Sequence, residues 1–326
     1  MIINRSLSSS LSNKERFGSL KSLVLLMVIA ILATSNTYAQ ASFETIGGLS
    51  YLIDSDAKTA ALTFNPSGEK YSGNIVVPEK VKASDGVEYP VTAFGDNAFD
   101  NCRELNSITI PSSVTSLGKG CFEWCDGLTS ITIPSSVTSL GKGCFDGCKG
   151  LTSITIPSSV TSLDGCFYDC SGLTSITIPS SVTSLGDFCF SGCSGLTSIT
   201  IPSSVTSLGK GCFNNCSGLT SITIPSSVTS LGGGCFRDCN SLTNISIPSS
   251  VTSLDTGCFD GCKGLTSITI PSSVTSLGES CFFRCSGLTS ITIPSTVTYL
   301  GDYCFEGSIY NHRTTKTNQK YPSVNL

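Results

Sequence analysis

One pattern of apolar and polar positions recurs along most of the chain. Between Leu128 and Gly150, single apolar residues alternate with serines and threonines, and a Cys-Phe-x-x-Cys segment follows. A fixed period of about this length predicts a stacked solenoid. The leading leucine of the pattern returns at Leu105, Leu128, Leu151, Leu173, Leu196, Leu219, Leu242, Leu265 and Leu288, a step of 23 residues except for one step of 22.

The apolar positions predict the elements of each rung. Ile131 and Ile133 alternate with polar residues, which indicates a strand with one buried face. Pro134 ends this strand, because proline has no N–H to donate. Val137 and Leu140 turn inward again, as a second short strand would.

A corner and a turn complete the rung. Gly141 is expected to take a positive φ at the corner, with Asp164 and Asp255 in the equivalent places. The segment from Cys144 to Cys148 then returns the chain to the next leucine as a helical or irregular turn. The conformational entropy lost on ordering one rung exceeds the free energy gained by burying its few apolar side chains. A rung is therefore stable only when it stacks on neighbouring rungs.

The ends of the chain depart from the repeat. Residues 40–74 carry two strand-like runs and are predicted to form an N-terminal β cap on a solenoid of residues 75–308. The first rung of this solenoid is degenerate, since it is interrupted between Glu79 and Tyr89. Residues 309–326 are polar and are predicted to form a disordered C-terminal tail.

The first 39 residues have the features of a secretory signal peptide. Basic residues, the last of them Lys21, precede an apolar run from Leu23 to Ala33. Small residues at Thr37 and Ala39 then favour cleavage after Ala39. The run is short for a membrane span, so no integral membrane segment is expected after cleavage. We therefore expect a secreted or cell-surface protein.

The repeat resembles a known family. Its pattern, Leu-x-x-Ile-x-Ile-Pro-x-x-Val-x-x-Leu-Gly-x-x-Cys-Phe-x-x-Cys, is similar to the BspA-like leucine-rich repeats of surface proteins from anaerobic host-associated bacteria and some protozoan parasites. The resemblance runs from about Ile75 to Ser308. It implies a leucine-rich repeat solenoid and adhesion to host matrix proteins or other cells. The family has no binding motif, so no binding residue is carried over, and Cys stands here where the family usually has Ala.

The 18 cysteines form two columns along the repeat. They can remain buried thiols that pack as small hydrophobes. Alternatively, each second-column cysteine can form a disulfide with the first-column cysteine of the next rung, since export permits disulfides. The pairs would be Cys102–Cys121, Cys125–Cys144, Cys148–Cys166, Cys170–Cys189, Cys193–Cys212, Cys216–Cys235, Cys239–Cys258, Cys262–Cys281 and Cys285–Cys304.

Composition argues against several functions. Charged residues make up only 13% of the chain and the net charge is −4, so no basic surface for nucleic acid is expected. The sole histidine, His312, lies in the tail, which excludes a Ser-His-Asp device in the solenoid. No recurring carboxylate pair suits a glycosidase. We therefore predict a protein without catalytic, cofactor-binding or metal-binding residues.

Two surfaces remain as candidates for contact. Variation between rungs is concentrated at the corner and turn, where aromatic and basic residues suit an interface. Partners would be extracellular proteins or cell surfaces; the structural alternative is a cell-envelope spacer without a ligand. The serine and threonine face of the strands is nearly invariant, so it could recognise only a periodic surface. The candidate edge residues are Trp124, Lys142, Tyr168, Phe188, Arg237, Phe283 and Arg284.

Overall fold

The fold is taken from a computed structural model, which describes residues 41–308. The predicted signal peptide (1–39) and tail (309–326) lie outside the described residues. Within the described range, the chain winds as a parallel β-solenoid, and from Ser130 onward each rung contributes one three-residue strand and one two-residue strand. This is the leucine-rich repeat architecture that the period predicts.

The first strand of each rung forms a parallel ladder with in-register pairing. Ile154 lies opposite Ile131 on one side and opposite Ile176 on the other, as the repeat requires. The alternating isoleucines are buried and the serine and threonine neighbours are exposed. The strands are β4 (Gly73–Val76), β7 (Leu105–Thr109), β9 (Ser130–Thr132), β11 (Ser153–Thr155), β13 (Ser175–Thr177), β15 (Ser198–Thr200), β17 (Ser221–Thr223) and β19 (Asn244–Ser246), followed by the separate pair β21 (Ser267–Thr269) and β23 (Ser290–Thr292).

The second strands form a shorter ladder that is interrupted twice. Its strands are β8 (Ser116–Leu117), β10 (Ser139–Leu140), β12 (Ser162–Leu163), β14 (Ser184–Leu185), β16 (Ser207–Leu208), β18 (Ser230–Leu231), β20 (Ser253–Leu254), β22 (Ser276–Leu277) and β24 (Tyr299–Leu300). Pairing stops between β10 and β12 and again between β18 and β20. In both cases the residue that follows the later strand is an aspartate, Asp164 or Asp255, where the other rungs have glycine.

The expectation of a positive φ at Gly141 is wrong, and the reason explains the interruptions. Gly141 is outside the left-handed region, but a Cβ atom placed on it would lie 2.3 Å from the amide nitrogen of Lys119 in the preceding rung. Glycine permits this approach, and the Gly141 amide donates a hydrogen bond to the carbonyl of Leu117 at 2.8 Å. Asp164 and Asp255 carry a Cβ and make no equivalent bond, so the ladder opens at these two rungs.

The core is a set of identical columns. The rings of successive phenylalanines stack along the solenoid with centroids 5.2–5.7 Å apart and planes within 9° of parallel. Offset stacking at this distance is favourable for aromatic pairs. The leucine, valine and cysteine columns beside them are buried through most rungs. The stacked rings are Phe99, Phe122, Phe145, Phe167, Phe190, Phe213, Phe236, Phe259, Phe282 and Phe305.

Antiparallel strands lie at the N-terminal end of the stack. β1 (Ala41–Ile46), β2 (Leu49–Asp54) and β3 (Thr59–Thr63) form a meander, and β3 pairs in parallel with β6 (Glu88–Phe94) of the degenerate first rung. The interruption in that rung forms a hairpin between β5 (Lys80–Lys82) and β6. The sheet therefore passes without a break from the meander into the second ladder. No helix among residues 41–308 is long and apolar enough to cross a membrane.

Candidate functional site

The variable residues of the rungs lie along one edge of the solenoid, which we call the turn edge. In each rung it comprises the segment from the corner glycine to the second-column cysteine, for example residues 141–148. The phenylalanine and both cysteines of this segment point into the core and are fully buried. Most of the residues between them lie at the surface, so the turn edge can vary between rungs while the core columns stay the same.

Each rung places two residues of the turn edge in the left-handed region of φ. In the rung that begins at Leu128 these are Gly143 and Gly147, with φ of +65° and +68°. Glycine is the usual residue there, because a Cβ costs about 1–2 kcal/mol in this conformation. The large residues found at these two positions elsewhere are Trp124, Phe188, Arg284 and Tyr303, with φ between +55° and +58°.

Trp124 packs across the neighbouring rung. A Cβ on Gly147 would lie 2.5 Å from the Trp124 ring, so the indole covers the backbone of that glycine. The ammonium group of Lys149 lies 5.2 Å from the ring centroid, within the range of a cation–π contact. The indole Nε1 donates a hydrogen bond to Glu123 at 3.1 Å. The side chain is thus held in one orientation and remains partly exposed.

Phe188 repeats this arrangement three rungs further along. Its ring lies over Gly211, where a Cβ would lie 2.6 Å from the ring edge. Tyr168 meets the Phe188 ring edge to face, with centroids 6.5 Å apart. Both rings are exposed, Tyr168 at 41% and Phe188 at 36% of their surface. These two predicted edge residues therefore form one small aromatic surface.

A groove of about 730 Å³ runs along the turn edge from Phe188 to Phe283. Its floor includes the bare backbone of Gly232-Gly233-Gly234, where other rungs carry a side chain at the middle position. Arg237 and Asp260 are among the residues that line it. Three of the predicted edge residues, Phe188, Arg237 and Phe283, thus come together around one depression.

A buried carboxylate fixes the arginines beside this groove. The Asp260 side chain is 6% exposed and accepts hydrogen bonds from the Arg284 guanidinium at 2.8 and 3.1 Å. Arg237 reaches the other carboxylate oxygen at 3.1 Å. Arg284 also lies 5.2 Å from the Phe283 ring centroid. Two half-exposed guanidinium groups are therefore held in place by one carboxylate, which sequence reasoning missed because Asp260 resembles any other variable turn residue.

The remaining edge residues are less closely associated. Lys142 lies 3.9 Å from Asp164, and both side chains are largely exposed. Asp146, which was not predicted, is flanked by Glu123 and Asp169. Burial raises the pKa of Asp146 to about 6, with a further contribution from those two carboxylates. Its Oδ1 is buried without a hydrogen-bond partner in the described structure.

All eighteen cysteines, which lie within the described range, are buried free thiols in this structure. From Cys125 onward, the second-column thiols donate to the phenylalanine carbonyl of the preceding rung; Cys148, for example, lies 3.0 Å from the carbonyl of Phe122. Burial raises the pKa of thiols in both columns, to about 12 for Cys166 and Cys216. The diagonal disulfides stay a prediction. Among residues 41–308, no group of three or more His, Cys, Asp or Glu side chains has the geometry of a metal site.

Solved structures of other proteins are similar to this chain. The chain is similar to a leucine rich cell surface protein from Faecalibacterium prausnitzii, with 28% identity over 82% of this chain and 92% of that one, and a TM-score of 0.48. It is also similar to the pneumococcal vaccine antigen PcpA, with 17% identity over 86% and 91% of the two chains and a TM-score of 0.49. No curated protein matches the chain.

A family comparison covers most of the solenoid. The model of the BspA type leucine rich repeat region matches residues 92–220 and 206–320, which together span more than half of the chain. The matched residues include the ladders, the phenylalanine column and the turn edge. The chain belongs to the BspA-type leucine-rich repeat family.

Proposed function

We propose that this protein is a secreted or cell-surface binding protein that adheres to extracellular proteins or to other cells through its turn edge. The predicted signal peptide supports export, and the family supports a scaffold role. The protein has no chemistry of its own in this proposal. It acts by binding, through surface side chains that the rigid solenoid holds in place.

One observation carries the proposal: large side chains occupy left-handed positions where glycine would cost nothing. Trp124, Phe188 and Arg284 each carry about 1–2 kcal/mol of backbone strain. Residues with a strained backbone cluster at binding sites, where the surrounding structure stabilises the unfavourable conformation. Aromatic residues and arginine are also the side chains that dominate protein interfaces. The groove between Phe188 and Phe283 adds a concave surface of ligand-binding size.

The test removes two anchors without disturbing the fold. Trp124 and Phe188 are replaced together by glycine, which suits their backbone conformation. The unfolding free energy should then fall by less than about 2 kcal/mol, because relief of strain offsets lost packing. Binding to immobilised fibronectin, laminin and collagen and to whole bacterial cells should fall at least about tenfold where the parent protein binds.

The matched control replaces Asn215 and Ser280 with glycine. These residues share the left-handed conformation but carry small polar side chains. The control should bind like the parent protein. If the aromatic variant binds as well as the control to every surface that the parent binds, the turn edge is not the contact surface. If the parent binds none of them, the spacer alternative is favoured.

A further inference from the structure

A second surface lies at the end of each first strand that is remote from the turn edge. It is formed by the turn that follows the strand. The sequence is Pro-Ser-Ser-Val, and the valine amide closes the turn by donating to the proline carbonyl at 3.0–3.1 Å. The amides of the two middle residues take no part in this bond. We call these the serine turns: residues 111–114, 134–137, 157–160, 179–182, 202–205, 225–228, 248–251, 271–274 and 294–297, the last with threonine as its second middle residue.

In the first serine turn a carboxylate occupies the two amides. Glu79 Oε1 accepts hydrogen bonds from the amide of Ser112 at 3.0 Å and from its hydroxyl at 2.9 Å. Glu79 Oε2 accepts from the amide of Ser113 at 3.1 Å. Successive backbone N–H groups arranged in this way form an anion-binding nest. The chain therefore contains one filled example of the site.

The filled nest favours the ionised ligand. Hydrogen bonds from the hydroxyls of Ser113 and Ser112, together with their amides, hold the pKa of Glu79 below its ordinary value. An ionised carboxylate is therefore expected to bind such a turn more tightly than an uncharged acid or ester.

The other eight serine turns have the same geometry and no such ligand. Glu79 follows a proline in the preceding rung, and in every later rung that place is held by a serine, whose side chain is too short to reach. Within residues 41–308, the middle amides of these turns donate no hydrogen bond to the protein. The first serine of each turn is exposed.

The unfilled turns are also rigid. The hydroxyl of the second middle residue donates to the valine carbonyl of the preceding rung, as Ser136 does to Val114 at 2.7 Å. The same bond recurs in all the later turns. A carboxylate would therefore meet donors that need no reorganisation, which limits the entropy lost on binding.

We propose that the eight unfilled serine turns bind a carboxylated polysaccharide, a chain of 1→4-linked uronic acids whose carboxylates on one side of the chain meet every second turn. The turns recur once per rung, about 4.7–4.9 Å apart as parallel strands are. Successive carboxylates of such a chain point to alternating sides, so those on one side recur every two sugars, which matches the length of two rungs, roughly 9–10 Å. Single contacts would be weak, but a chain that engages many turns gains affinity through effective concentration.

The spacing disfavours an acidic peptide. Side chains on one face of an extended peptide recur about every 6.6–6.8 Å, which does not match the rung repeat. The serine turns lie apart from the turn edge, so this proposal and the adhesion proposal stand or fall separately.

The test uses the filled nest as its template. Ser158→Glu, Ser203→Glu and Ser249→Glu together place a carboxylate before three of the eight turns, as Glu79 does before the first. The control variant adds the same charge to the exposed strand face by Ser153→Glu, Ser198→Glu and Ser221→Glu. The probe is a galacturonic acid oligomer long enough to span the turns, with its methyl ester as the uncharged comparison.

The parent protein should bind the oligomer, bind it more tightly as the chain lengthens, and bind the ester at least about tenfold more weakly. The serine-turn variant should lose about tenfold or more in affinity relative to the strand-face variant. Equal losses in the two variants would mean simple charge repulsion and would overturn the proposal. Equal binding of the ester, absence of oligomer binding, or tighter binding of poly-glutamate would overturn it as well.

Discussion

At the scale of single residues, the turn edge contains buried side chains that stabilise the fold next to exposed side chains that do not. Phe190 is fully buried in the aromatic column, whereas Phe188, two residues before it, is exposed and strained. Phe190 can be predicted as core from the sequence because phenylalanine recurs there in every rung. The sequence carries a signal for the place of Phe188, because glycine stands immediately before the first-column cysteine in most other rungs. The sequence does not show that this place has a positive φ, so the strain at Phe188 could not be predicted from it.

Asp146 predicts a pH dependence of stability. Its pKa is raised to about 6, so the folded chain prefers the protonated form. Ionisation therefore destabilises the fold as the pH rises from the ordinary aspartate value through about 6, and the effect persists above it. Asp146→Asn should raise the melting temperature at pH 7 by roughly 2–4 °C, and the difference should disappear below about pH 4.

Thermal unfolding followed by circular dichroism across this pH range measures the effect. Glu123→Gln is the companion variant, since Glu123 is the larger of the two charged causes of the shift. In the Glu123→Gln background, the difference that Asp146→Asn makes should reach a smaller final value, and reach it at a lower pH, because the folded-state pKa of Asp146 falls. A constant difference between Asp146→Asn and the parent at all pH values would contradict the assignment.

At the scale of the element, the second ladder depends on a missing Cβ. Sequence reasoning placed the strands correctly, because the alternation of apolar and polar residues is visible in one rung. It assigned the wrong reason to the corner glycine, because the close approach of Gly141 to the preceding rung is a contact between rungs. The interruptions at Asp164 and Asp255 follow from the same contact between rungs. The pattern within one rung therefore could not predict them.

The glycine run on the groove floor offers a matched test of this explanation. A Cβ on Gly232 would lie 2.5 Å from the amide nitrogen of Lys210, whereas one on Gly233 would lie 3.2 Å from the carbonyl of Thr256. Neither glycine has a positive φ. Gly232→Ala should therefore cost about 1–3 kcal/mol of unfolding free energy through overpacking, and Gly233→Ala less than about 1 kcal/mol.

Urea unfolding of the two variants provides the comparison. Gly232→Ala should also weaken the hydrogen bond from its amide to the carbonyl of Leu208, which is 2.9 Å long. Hydrogen exchange at that amide should then become faster. Equal stabilities for the two variants would show that the corner glycine is not required for close approach.

At the scale of the whole molecule, the stack should tolerate the loss of an entire rung but not the loss of half a rung. Deletion of residues 197–219 joins Leu196 to Thr220 and keeps every column in register. Phe188 would then lie over Gly234, which is also a glycine at a left-handed position. The shortened protein should fold with a lower unfolding free energy and a smaller denaturant slope, since solenoid stability is a sum over neighbouring rungs.

Deletion of residues 197–207 alone is the control. It removes about half a rung and places Lys210 in the column of Ile199 and the smaller Cys216 in the column of Val205. Cooperative unfolding should be lost in circular dichroism and calorimetry. If the half-rung deletion is as stable as the full-rung deletion, the columns do not determine the register.

The glycines that the side chains of Trp124 and Phe188 cover set a minimum distance between large side chains on the turn edge. Because each ring covers the next rung, a second large side chain cannot follow directly in the same column; Gly147, Gly211 and Gly307 come after Trp124, Phe188 and Arg284. Neighbouring anchors in one column are thus separated by at least two rungs, roughly 9–10 Å. If the turn edge is the contact surface, as proposed, its partners must present features that are at least that far apart.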